Sequence, residues 1–168
     1  MHAALISASN HDAAPRCAAS GLRISLGAAP APASGARQGL TSYALNFTNV
    51  SSAKCELRGY PAVAAYGGSG LQVGNAAAAD TTATARRVVL APGETARAAV
   101  IASAASPSAS ADGCRPVVAA GLRVAPPGAS AARFIRHSLL ACSAAGSRAP
   151  VFLRVRAVQP VPVAGQPA

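Results

Sequence analysis

Glycine and proline punctuate this chain so densely that few stretches are long enough to be helices. Fifteen glycines and thirteen prolines are spread over 168 residues, and the longest windows free of both are 40–58, 75–91 and 129–145. Alanine is the best intrinsic helix former, and 45 residues are alanine, so each window has to be tested as a helix first. The first alternates like a strand. In the third, Ala131, Ile135, Leu139 and Cys142 fall at i, i+4, i+8 and i+11, a helical face. A short helix there stays open beside strand or loop.

Elsewhere the hydropathy period is two. Leu22, Ile24 and Leu26 alternate with Arg23 and Ser25, and Tyr43, Leu45 and Phe47 with Ala44, Asn46 and Thr48. Cys55 and Leu57 alternate with Glu56 and Arg58; Leu122 and Val124 flank Arg123; Val151, Leu153 and Val155 alternate with Phe152, Arg154 and Arg156. One face apolar and the other polar is the pattern of half-buried antiparallel strands. Segments 62–66, 71–73, 87–90 and 95–102 add less regular strands. Ala91-Pro92-Gly93-Glu94 has the residue order of a type II turn, and Gly67-Gly68-Ser69-Gly70 that of a hairpin loop. Seven to nine short strands at this spacing predict an all-β, antiparallel β-sandwich. Segments 28–39, 75–85 and 103–113 read as mobile loops, residues 1–16 as a disordered tail and 160–168 as a proline-rich one.

The core of such a sandwich has to be thin. Leu, Ile, Val and Phe number 33 of 168, near the limit below which chains fail to bury a core. Four cysteines supply the remedy. Cys17, Cys55, Cys114 and Cys142 contain no C-x-x-C pair, so two disulfides are expected over a zinc knuckle or a redox motif. Of three pairings, Cys17–Cys55 with Cys114–Cys142 is favoured, because each joins predicted strand ends within one half of the chain. Such bridges imply an oxidising compartment and therefore export. The start shows no basic n-region or long apolar stretch, so any signal is expected to have been removed or to lie upstream. No segment reads as a transmembrane helix.

Fourteen arginines, one lysine and five acids give a net charge of +10. Arginine over lysine, beside abundant Ala, Gly and Pro, is the composition of a GC-rich genome; attraction to polyanions is the functional alternative. Nucleic acid is disfavoured: stacking platforms are scarce, with Trp absent and three each of Tyr and Phe. Catalysis is poorly supplied too. His2 and His11 fall in the expected tail, which leaves His137 as the one base for any triad. Gly68 to Gly74 misses the dinucleotide fingerprint by one residue. A copper carrier would lean on Met, His and free Cys, and the chain has one Met, at its start. The sequons at Asn46 and Asn49 read as chance matches, with Asn49 shaping the loop after its strand.

Two motifs and their frame are familiar. Cys55-x-Leu-x-Gly59-Tyr60-Pro61 is followed by Leu90-x-Pro92-Gly93-x-x-Ala96, with four cysteines around them. The chain resembles the actinobacterial secreted and lipoprotein family known as domain-of-unknown-function family 4232 over roughly 17–159. The resemblance implies an exported, disulfide-bonded, immunoglobulin-like domain and no assigned activity. Gly59-Tyr60-Pro61 also has a physical reading: glycine reaches positive φ and proline lacks the N–H a central ladder needs. A strand should end or change sheet there, with Tyr60 packed over the corner; Tyr60 as a ligand-stacking residue is the alternative.

The expected function is a non-catalytic binding module of the cell envelope or medium, a monomer without cofactor or metal, whose loops meet an unknown ligand. The alternative is adhesion to an anionic envelope polymer or membrane surface through the outward Arg23, Arg97, Arg123, Arg154 and Arg156, since arginine grips phosphate and carboxylate bidentately. An enzyme is a residual reading.

Overall fold

The computed structural model describes residues 14–28, 39–111 and 113–161. Twelve strands run through them in chain order. They are β1 (Leu22–Ala28), β2 (Thr41–Asn49), β3 (Cys55–Arg58), β4 (Ala62–Tyr66), β5 (Gln72–Val73) and β6 (Ala78–Asp80). After them come β7 (Arg87–Leu90), β8 (Thr95–Ala102), a short helix α1 (Pro107–Ala111), β9 (Pro116–Ala125), β10 (Arg133–Cys142), β11 (Leu153–Arg156) and β12 (Gln159–Pro160). One sheet has the order β1-β2-β8-β11-β6, with β12 also on β8; the second has the order β10-β9-β4-β5; β3 and β7 form a separate ladder. This is an all-β sandwich.

Its core is continuous across both sheets. Leu45, Phe47, Val100, Leu153 and Val155 come from the first, Val63, Leu122, Val124 and Leu139 from the second, and Leu57 and Val88 from the ladder. Burial in β8 alternates residue by residue, and three of its four buried residues are alanine: Ala96, Ala98 and Ala102, beside Val100. Small residues on a central strand leave room for large ones nearby, and Phe47 and Phe152 are the largest buried side chains. Alanine therefore forms part of the interior face. Each large aliphatic or aromatic side chain so buried contributes about 1.5–3 kcal/mol.

The corner motif lies at a change of sheet. β3 belongs to the ladder and β4 to the second sheet, and Gly59-Tyr60-Pro61 carries the chain between them. Gly59 has φ 100°, Pro61 is buried, and Tyr60 packs half-buried against the core. At the second motif Glu94 N–H donates to Ala91 O at 3.0 Å, and Gly93 has φ 86°, as a type II turn requires.

Several elements depart from the sequence reading. Residues 129–145 hold a strand, not a helix. The expected loop 75–85 contains β6, which pairs with β11 in parallel, the one parallel strand pair among the described residues. Segment 103–113 contains α1. Phe152, placed on the polar face by alternation, is 1% exposed: it precedes β11, so the strand's period does not govern it. Residues 14–16, assigned to the tail, run beside β3. Glu56 N–H donates to Pro15 O at 2.8 Å and Cys17 N–H to Glu56 O at 3.0 Å. The tail assignments for 1–13 and 162–168, and the loop assignment for 29–38, lie outside the described residues.

Candidate functional site

The two disulfides are Cys17–Cys55, with Cα atoms 4.8 Å apart, and Cys114–Cys142, at 5.1 Å. The first fastens the segment before β1 to the ladder, and the second joins the residues just before β9 to the end of β10. Two such bridges mark an oxidising, extracytoplasmic setting. Every cysteine is committed to one, and among the described residues no three His, Cys, Asp or Glu gather at a metal-binding distance. No helix among them is long and apolar enough to cross a membrane.

The five arginines do not form one patch. Arg23, Arg97, Arg154 and Arg156 belong to strands of the first sheet, whereas Arg123 belongs to β9 of the second. Two of the four are already engaged. Arg97 Nε donates to Asn46 Oδ1 at 3.1 Å, and Arg156 Nε meets Asp80 Oδ2 at 3.1 Å. Asp80 also accepts from the Thr82 hydroxyl and amide. Those Thr82 bonds, with Arg156 behind them, hold its carboxyl below the usual value of 3.8.

Arg123 has different company. Its guanidinium lies over the Tyr66 ring, 4.7 Å from the centroid, a cation–π contact. Tyr66 ends β4, which pairs with β9; on the other side of β9, Phe134 of β10 stands directly opposite Arg123. Arg136 follows two residues later along β10. Together with Ala120, Ser138 and the β4–β5 glycine hairpin, these side chains line a groove of about 530 Å³. That is within the ordinary size of small-ligand sites.

Local structure explains why the groove stays open. The hairpin closes through Gly67 N–H to Leu71 O at 2.9 Å and Gly70 N–H to Gly67 O at 3.0 Å, so its tip presents little side chain. Beneath Phe134 the strand carries Gly121, where a Cβ would sit 2.7 Å from Phe134 Cζ and 2.2 Å from Ile135 O. The ring therefore leans across β9, and Phe134 remains 48% exposed. An aromatic half in water is a cost that a ligand could relieve.

None of the described carboxylates reaches this groove. Glu56 lies 3.4 Å from Arg87, without hydrogen-bond geometry at that oxygen; Asp80 holds Arg156; Glu94 accepts from Ala91 N–H at 2.8 Å. His137 packs edge-on against Tyr43, centroids 5.0 Å apart, and Tyr43's phenol is pushed up by burial, with a Thr41 hydrogen bond opposing. Tyr60, the stacking alternative, packs toward the core.

Tyr66, Phe134 and Arg136 are site residues that sequence reasoning did not single out. The available signal was Phe134 itself, an aromatic between arginines in Arg133-Phe134-Ile135-Arg136, but its exposure depends on strand register.

Asn49 has a purely structural place. It is fully buried, with Nδ2 donating to Ala53 O at 2.9 Å and Leu90 O at 3.0 Å. Its Oδ1 accepts from Ser51 N–H at 3.0 Å and the Ser51 hydroxyl at 2.7 Å. A glycan on that nitrogen would displace a donated proton and has no room.

Comparison with known families gives one result. The family described as domain of unknown function DUF4232 matches residues 17–159, and the chain belongs to it. No match was found among curated proteins or among solved structures.

Proposed function

We propose that this DUF4232 domain is an exported, non-catalytic binding module of the cell envelope or medium, whose ligand seats in the Tyr66–Arg123–Phe134–Arg136 groove. The observation that carries the reading is Phe134, half exposed between two arginines. Neither arginine faces a described carboxylate there. Aromatic and arginine side chains dominate binding hot spots because they bring large contact area and directed hydrogen bonds. The site's side chains stand on hydrogen-bonded strands, which limits the backbone ordering that binding would cost.

Affinity capture from envelope fractions of the source organism tests this by comparison. A Phe134→Ala/Arg136→Ala double variant should lose most of what the wild type retains, and an Arg154→Ala control on the other sheet should lose little. Equal retention by wild type and double variant would rule the groove out.

The alternative is diffuse adhesion to an anionic envelope polymer. It draws support from Arg23 and Arg154, which are exposed and have no acidic partner among the described residues. Adhesion by diffuse charge should collapse by physiological ionic strength, where the screening length is about 8 Å; binding in a groove should survive.

A further inference from the structure

We infer that the ligand of this groove is an acidic sugar, its ring stacked on Phe134 and its carboxylate or phosphate held by Arg123 and Arg136. The inference rests on the groove reading above and adds the ligand's chemistry.

The geometry supplies one free aromatic face and two cations around it. Tyr66 is not free, because Arg123 already covers its ring at 4.7 Å; that contact fixes the guanidinium and leaves its N–H edge for an anion. Phe134 is free, its ring tip lying over Gly121 and nearly half its surface in water. Arg123 stands opposite Phe134 across the strand pair, about 4.5–5.5 Å away at Cα. Arg136 is two residues along the same strand, about 6.6 Å away. A cation thus sits on each of two sides of one aromatic platform, and the three described acids are all engaged elsewhere. The charge balance asks for an anion, and guanidinium asks for an oxyanion.

Other ligand classes fit less well. An acyl chain needs an enclosed apolar channel, whereas arginines stand on this floor. A peptide strand adds to an open sheet edge, whereas this groove lies on the face of β4, β9 and β10, which presents side chains rather than unpaired backbone N–H and C=O groups. A nucleic acid strand uses successive stacking platforms, and only one ring here is uncovered. A pyranose fits: its C–H face packs on a single aromatic ring, its hydroxyls meet Ser138 and the hairpin backbone, and its acid group reaches the arginines.

The test is a titration of the folded domain, followed through backbone amide resonances at physiological ionic strength. Three probes serve: trigalacturonic acid, the same trisaccharide with its carboxyls reduced to alcohols, and a phosphorylated trisaccharide of equal length. Acidic probes should shift amides at 66–70, 120–123 and 134–138, and the neutral one should bind at least about tenfold more weakly. The stronger of the two acidic probes identifies the acid group as carboxylate or phosphate. Phe134→Ala should weaken all three probes. Arg136→Gln, which leaves the platform in place, should weaken the acidic probes and bring them toward the neutral one. Retained amide dispersion shows that each variant is folded.

Equal affinity for the neutral probe, with shifts mapping to the groove, would overturn the acidic class and leave the groove as the binding site. Shifts clustered instead around Arg23 and Arg154 would overturn both readings. Absence of shifts with all three probes would overturn the acidic-sugar inference alone, leaving the capture comparison to judge the groove.

Discussion

Asn49 ties the loop that leads to Cys55 to the Leu90–Ala96 motif, and its removal should be costly for a single polar change. Besides its side-chain bonds, its amide donates to Glu94 O at 2.9 Å and its carbonyl accepts from Gly93 N–H at 2.7 Å. The side chain reaches from the last residue of β2 to Leu90 at the end of β7, so it ties a sheet to the separate ladder. In Asn49→Ala the backbone bonds remain and four side-chain contacts vanish. Leu90 O accepts its side-chain bond in a buried setting, and losing that donor costs about 1–3 kcal/mol. The Ala53 and Ser51 groups lie nearer water and recover part of their bonding, at about 0.5–1.5 kcal/mol each. The total is about 2.5–7.5 kcal/mol, or about 5–30 °C in Tm for a chain of this size.

Asn49→Asp is the sharper arm. It keeps the acceptor toward Ser51 but turns the donor into a second oxygen facing Ala53 O and Leu90 O. At neutral pH it should lose at least as much as alanine, although its shape is nearly unchanged. Urea unfolding followed by far-UV circular dichroism measures both. An Asn49→Ala variant within about 0.5 kcal/mol of wild type, the range of ordinary surface changes, or an Asn49→Asp variant as stable as the parent, would refute the assignment of a structural hub.

Other expectations are narrower. Thiol titration of the unfolded, unreduced protein should find no free –SH, and reduction should lower stability by roughly 3.5–4 kcal/mol per bridge for loops of 38 and 28 residues, as urea midpoints with and without reductant will show. Because Asp80's carboxyl is held below 3.8, its contribution is full above that value and fades as pH falls through the lowered one. The Tm difference between wild type and Asp80→Asn should therefore shrink at strongly acidic pH and be constant from pH 5 to 8. Gly121→Ala should destabilise by about 1–3 kcal/mol through overpacking against Ile135 O and Phe134, and should displace the Phe134 ring, read as altered near-UV aromatic circular dichroism.

What the sequence conveyed and what it hid follow one physical division. Strands with one wet and one dry face declare themselves by period two: β1, β2 and β3 contain the alternating segments 22–26, 43–48 and 55–58. The corner at Gly59-Tyr60-Pro61 was legible because glycine and proline constrain the backbone locally. β6 and β12 were illegible because three and two residues carry no period, and parallel pairing with β11 is a fact of topology. β10 failed for a more telling reason. Along it Ile135, Leu139 and Ala141 face the interior with the half-buried His137, while Phe134 and Leu140 face water. Apolar residues on both sides cancel the alternation, and the spacing of Ile135 and Leu139 suits a helix as well as a strand. The exposed aromatic that spoils the strand signal is also the platform of the proposed site. A surface selected for contact departs from the polar pattern that reveals a strand, so local reading is weakest where such a domain meets its ligand.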